Sequence, residues 1–146
     1  MKLFVLIFTL KKIPTLSWSS FNTLNLKPKS ITLLYLIFGL ILCGLGETIL
    51  IAASAGVSPW TVLAQGMSVK TGYSIGLTTF IISICVLFLW IPLKQKPGIG
   101  TILNTIIIPV VIDVSLPYLP TPESFFLQIL QVIIGVVILG LGIGFY

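Results

Sequence analysis

The 146-residue sequence contains no histidine and no arginine, and Glu47, Asp113 and Glu123 are its only carboxylates. Without histidine there is no imidazole base for a Ser/His/Asp triad and no imidazole ligand for zinc. Without arginine there is no bidentate clamp for phosphate. Charge of either sign is scarce, at 8 % of residues against about a quarter in an ordinary soluble domain. A surface facing water could then be made only by exposing wide apolar patches. The two cysteines, Cys43 and Cys85, both fall inside apolar runs and read as small packing residues rather than as a disulfide.

What the chain has in abundance is hydrocarbon. Hydrophobic residues make up 57 % and the mean hydropathy is +1.20, so the expected partner is a lipid bilayer, and length is best counted in spanning helices of roughly 20 residues. The eight lysines give a net charge of +5. They stand singly or in pairs beside apolar runs, without the basic stripe and interleaved aromatics of a nucleic-acid surface, so no nucleic-acid partner is expected.

Residues 1–30 read as a cytoplasmic or interfacial tail. Their apolar run, 3–10, is too short to span, and no small-x-small cleavage site follows it. Spans are predicted at about 31–53, 74–93, 101–119 and 124–146, with Pro109 and Asp113 interrupting the third. The fourth run carries no charge up to the last residue, which leads to the expectation of an incomplete chain. Lys2, Lys11, Lys12, Lys27 and Lys29 precede the first span, and Lys94 and Lys96 lie between the second and third. By the positive-inside rule the N-terminus is expected in the cytoplasm and the chain in the cell (inner) membrane. Trp60, Tyr73 and Tyr118 then fall toward the outer interface, and Tyr35 and Trp90 toward the inner one.

Between the first two spans, Ser58 is a good helix N-cap and Pro59 suits the first helical position. A half-helix is predicted over 59–69, with Trp60, Leu63, Ala64 and Met67 on one side and Thr61, Gln65 and Ser68 on the other. Some eleven residues reach about 16 Å, half a bilayer. Three placements are open: an interfacial helix anchored by Trp60, a kinked continuation of the first span, or a broken helix whose free N–H groups near Ser58 to Trp60 face a cavity able to hold an anionic group.

A glycine pattern occurs twice. Gly39-x4-Gly44-x-Gly46 returns as Gly135-x4-Gly140-x-Gly142, displaced by 96 residues. With three spans between the two starts, the helices that carry the pattern run in opposite directions, as in an inverted repeat. The same glycines, with Gly144, would let helices approach closely.

Gly39-x4-Gly44-x-Gly46, Gly56-Val57-Ser58-Pro59-Trp60-Thr61-Val62-Leu63, Thr71-Gly72-Tyr73-Ser74-Ile75-Gly76 and Pro97-Gly98-Ile99-Gly100-Thr101-x2-Asn104 with Asp113 together resemble the ordered motifs of the YczE/YitT-like bacterial membrane proteins. The likeness runs from about residue 31 to 146. It implies a multi-pass inner-membrane protein of poorly defined biochemical role, usually longer, with a second glycine-rich helix and its own half-helix.

Ionisable residues inside a span are functional candidates by default. Glu47 lies about 24 Å along the first span and Asp113 about 18 Å along the third. If both line one cavity, they suit proton or cation coupling. The alternative is that each snorkels or bonds backbone N–H groups freed near Gly or Pro. Asn104 shares a lining with Asp113 only if Pro109 kinks the helix. The expected fold is therefore all-α, a transmembrane bundle of about four spanning helices plus one re-entrant or interfacial half-helix. The candidate cavity or coupling residues are Glu47, Asp113, Ser58, Pro59, Trp60, Gln65 and Asn104. Two functions compete: a transporter-like protein moving a small solute or ion, and an accessory protein acting by helix packing on a membrane partner or a second copy. An enzyme is not expected, because no nucleophile–base set or metal-ligand cluster appears, and no catalytic, cofactor or metal residue is assigned.

Overall fold

The computed structural model describes residues 28–145. All but the last three residues of the expected tail lie outside them, as does Tyr146. The described residues form five α-helices: α1 (Ser30–Ala53), α2 (Pro59–Thr71), α3 (Ile75–Trp90), α4 (Ile99–Ser115) and α5 (Phe125–Phe145), with a 3-10 turn, Leu116–Tyr118, prolonging α4. The all-α, multi-pass expectation holds. Helix α1, α4 with its 3-10 extension, and α5 are each long and apolar enough to cross a membrane, while α2 and α3 meet that test only as a pair bent by 114°.

Local chemistry sets these boundaries. Ser58 caps α2 by accepting the Thr61 N–H, with Pro59 at the first position, and Gly72 ends α2 in the left-handed region at φ 75°. Two residues later Ser74 accepts from the Leu77 N–H and starts α3. The 16 residues of α3 span about 24 Å, short of a hydrocarbon core of about 30 Å. A further turn carries its path on: Gln95 N donates to Trp90 O and Lys94 N to Ile91 O, with Lys94 at φ 53°, a Schellman-type end that reaches Leu93 as the sequence suggests.

Helix α1 is the centre. Of its most apolar stretch 56 % is buried, against 11 % for α5, and it packs against α5 on one side and α4 on the other; α4 packs on α3, and α3 on α2. Topology brings Lys29, Lys94 and Lys96 to the near end of the bundle, where α1 begins, and Lys70 and Glu123 to the far end. Tyr35 stacks on Phe145 at the near end, while Tyr73 and Tyr118 stand exposed at the far end. Trp60 lies on the first turn of α2.

The two glycine patterns meet. A Cβ on Gly46 would lie 2.7 Å from Leu139 N, and one on Gly142 would lie 2.7 Å from Cys43 N and 2.8 Å from the buried Gly39's carbonyl. Gly142 follows Gly46 by 96 residues, and Leu139 follows Cys43 by the same interval. Exchanging α1 and α5 thus turns one contact into the other, and the antiparallel crossing has a local two-fold axis. Gly135 faces Leu50 and Ile49 in the same crossing, whereas Gly44 turns toward Val111 of α4. Gly140 and Gly144 differ from expectation: among the described residues no atom outside the local helix lies within 4 Å of a Cβ at either, because both sit on the exposed side of α5.

Helix α2 also shows its face differently from the periodicity reading. Thr61 and Ala64 are its buried residues, while Val62, Leu63 and Val69 are exposed. In a lipid setting the interior is where hydroxyls find partners, so the more apolar side turns out.

Candidate functional site

All five helices border one cavity of about 460 Å3. Each contributes residues at helical spacing: Cys43 and Glu47 from α1, Thr79 and Ser83 from α3, Asn104, Ile108 and Ile112 from α4, Leu139 and Ile143 from α5. Neighbours four apart lie on one side of a helix, so each spanning helix presents a single stripe to the cavity. Helix α2 closes it with consecutive first-turn residues, Trp60 and Thr61.

Polar contacts here form a chain. Thr61 Oγ1 donates to Glu47 Oε2 at 2.7 Å. With its proton so committed, Thr61 Oγ1 accepts from Ser58 Oγ at 2.8 Å, and Ser58 Oγ in turn accepts the Thr61 N–H at 3.3 Å. The start of α2 is thereby tied to α1 at Glu47, six residues or about 9 Å before the end of α1. This level lies inside the bundle. Helix α2 is not a continuation of α1, because Ser54 and Gly56 take positive φ between them and α2 folds back along α3. The anion at the α2 N-terminus is the protein's own Glu47, placed where the helix dipole favours it. Thr79 Oγ1 donates to Ile75 O at 2.7 Å and Ser83 Oγ to Thr79 O at 2.9 Å, so both spend their protons on their own helix.

Of the residues predicted from sequence, Glu47, Trp60 and Asn104 line the cavity, and Ser58 and Pro59 shape its α2 edge. Gln65 is partly buried farther along α2, outside the lining. Asp113 is placed elsewhere. Its Oδ1 accepts the Gly76 N–H at 2.8 Å and its Oδ2 the Ser74 hydroxyl at 2.6 Å, so it holds the N-terminus of α3 against α4. The approach is close enough that a Cβ on Gly76 would run into the Pro109 carbonyl and the Asp113 carboxyl carbon. Asn104 and Asp113 therefore do not share a lining, and Asp113 follows the backbone-bonding alternative.

Thr61, Thr79, Ser83 and Cys43 also line the cavity, beyond the candidates the sequence offers. The pair Thr79 and Ser83, hydroxyls four apart in an otherwise apolar run, was the available signal. Thr61 was visible only as part of the polar side of α2.

Residues 30–146 match the Family of unknown function (DUF6198). An uncharacterized protein of Haemophilus influenzae is 34 % identical over 134 residues, which cover 92 % of this chain and 61 % of that protein. The uncharacterized membrane protein YczE of Bacillus subtilis is 31 % identical over 110 residues, or 74 % of this chain and 51 % of YczE. The chain thus spans between half and two thirds of these relatives' length. No solved structure matches it.

Proposed function

This chain belongs to DUF6198, a family of unknown function, and from that premise we propose a transporter-like protein of the cell membrane, not an enzyme, that admits a small solute or ion to the cavity beside Glu47. One observation carries the reading: an ionisable side chain within a membrane span faces a cavity bordered by a broken helical pair. Half-helices whose N-termini face an internal site are a recurrent way for transporters to hold polar ligands at membrane depth. The lysine distribution supports a cytoplasmic N-terminus, with the near end of the bundle inside.

The test is flux. In proteoliposomes holding a pH-sensitive dye, under a valinomycin-imposed potential, the full chain should move protons faster than protein-free vesicles, and Glu47→Gln should lower the rate toward that background. Equal rates for the two proteins would remove Glu47 from the mechanism.

A second reading, an accessory protein acting on a membrane partner or a second copy, is favoured by Gly140 and Gly144. They form a small-residue stripe on α5 that none of the other described helices covers, a surface suited to close approach of another helix. On this reading Gly140→Leu abolishes co-purification with the partner, while Glu47→Gln leaves it intact.

A further inference from the structure

An ionised carboxylate at membrane depth has to be met by hydrogen bonds or opposite charge. Glu47 is met on one side only: Oε2 takes the Thr61 hydroxyl, and among the described residues nothing hydrogen-bonds Oε1. Among the described residues no lysine lines the cavity, and Glu47 is the single formally charged one that does. The N-terminus of α2 contributes about half a positive charge nearby, which leaves part of the carboxylate's charge without a counterpart.

Resting on the reading of this cavity as a solute site, we infer that its ligand is a small amphiphilic organic cation, a protonated amine on an apolar body, with the ammonium held between Glu47 and the Trp60 ring. Trp60 also lines the cavity, and an indole ring attracts ammonium groups across its π face. Ile108, Ile112, Leu139 and Ile143 make the remaining wall apolar, which suits a hydrocarbon body. An anionic ligand would confront Glu47 directly. A dehydrated metal ion asks for about six oxygen ligands, whereas this wall has one carboxylate and scattered hydroxyls; no group of three or more His, Cys, Asp or Glu residues occurs among the described residues.

Equilibrium dialysis of the full chain in nanodiscs, against empty nanodiscs, tests this with three radiolabelled probes of one shape: benzylamine, benzyl alcohol and benzoate. Near neutral pH the amine is a cation and the benzoate an anion. The expected result is saturable benzylamine binding, about tenfold or more tighter than benzyl alcohol, with none for benzoate. Glu47→Gln should weaken the amine about tenfold or more and erase its preference over the alcohol. Trp60→Leu, at an exposed position, should weaken it about three- to tenfold and keeps the test open if Glu47→Gln does not fold. Ile108→Phe, which narrows the cavity, should reduce every probe that binds there. Equal binding of amine and alcohol, both lost in Ile108→Phe, would overturn the cation inference while the cavity reading stands. Amine binding unchanged in Glu47→Gln, Trp60→Leu and Ile108→Phe, or no saturable binding of any probe, would overturn both.

Discussion

Glu47 and Asp113 are the two carboxylates inside spans, and each accepts a hydroxyl within 2.7 Å. Their second oxygens separate them. Asp113 Oδ1 takes a backbone N–H that belongs to the first turn of α3, so its hydrogen bonds are spent on holding two helices together. Among the described residues nothing hydrogen-bonds Glu47 Oε1, and Glu47 lines the cavity. Asp113→Ala should therefore act on stability: the Gly76 N–H and Ser74 hydroxyl lose a charged acceptor, worth about 1–3 kcal/mol, read as a lower melting temperature in detergent. Proton flux per folded molecule should stay unchanged. Glu47→Gln keeps the shape and one acceptor for Thr61, so it should melt within about 1 kcal/mol of the parent while losing flux. If Asp113→Ala abolished flux without a stability change, the division of labour between the carboxylates would be wrong.

At the scale of elements, α2 shows what sequence could and could not reveal. Ser58 and Pro59 announced its start, because a cap needs only the hydroxyl and its own next turn. Lengths and punctuation likewise exposed the spans. The inward face of α2 was harder, since it depends on partners from other helices: Glu47 of α1 accepts the Thr61 hydroxyl, and the Ala64 carbonyl accepts the Thr78 hydroxyl of α3. Pairings across 39 residues, such as Ser74 with Asp113, follow from how α3 and α4 lie together, and no periodicity encodes that. The hydroxyl chain makes Ser58 serve twice, as cap for α2 and as donor to Thr61. Ser58→Ala should loosen the first turn of α2 by about 1 kcal/mol, seen as roughly fivefold faster amide exchange over residues 61–64, with exchange in the middle of α1 unaltered. Uniform acceleration in both helices would show that α2 has no local stability of its own.

Across the whole molecule, the α1–α5 crossing joins the two copies of the glycine pattern. Its symmetry makes a quantitative demand. The obstacle facing a side chain at Gly46 is the Leu139 backbone nitrogen, and at Gly142 it is the Cys43 backbone nitrogen, at the same 2.7 Å. Neither can swing aside as the tip of a flexible side chain would, so a substituent must part the helices. Gly46→Leu and Gly142→Leu should thus destabilise by similar amounts, about 1–3 kcal/mol or more, measured by titrating micelles of the purified protein with a denaturing detergent. Gly140→Leu is the internal control. It carries the same residue change on the same helix as Gly142 but meets none of the described residues, so it should unfold within about 0.5 kcal/mol of the parent. Because Gly→Leu raises helix propensity, a loss at Gly140 as large as at Gly46 would mean that the damage does not arise from the α1–α5 contact. A harmless Gly142→Leu beside a damaging Gly46→Leu would mean that α1 and α5 do not meet about a common axis.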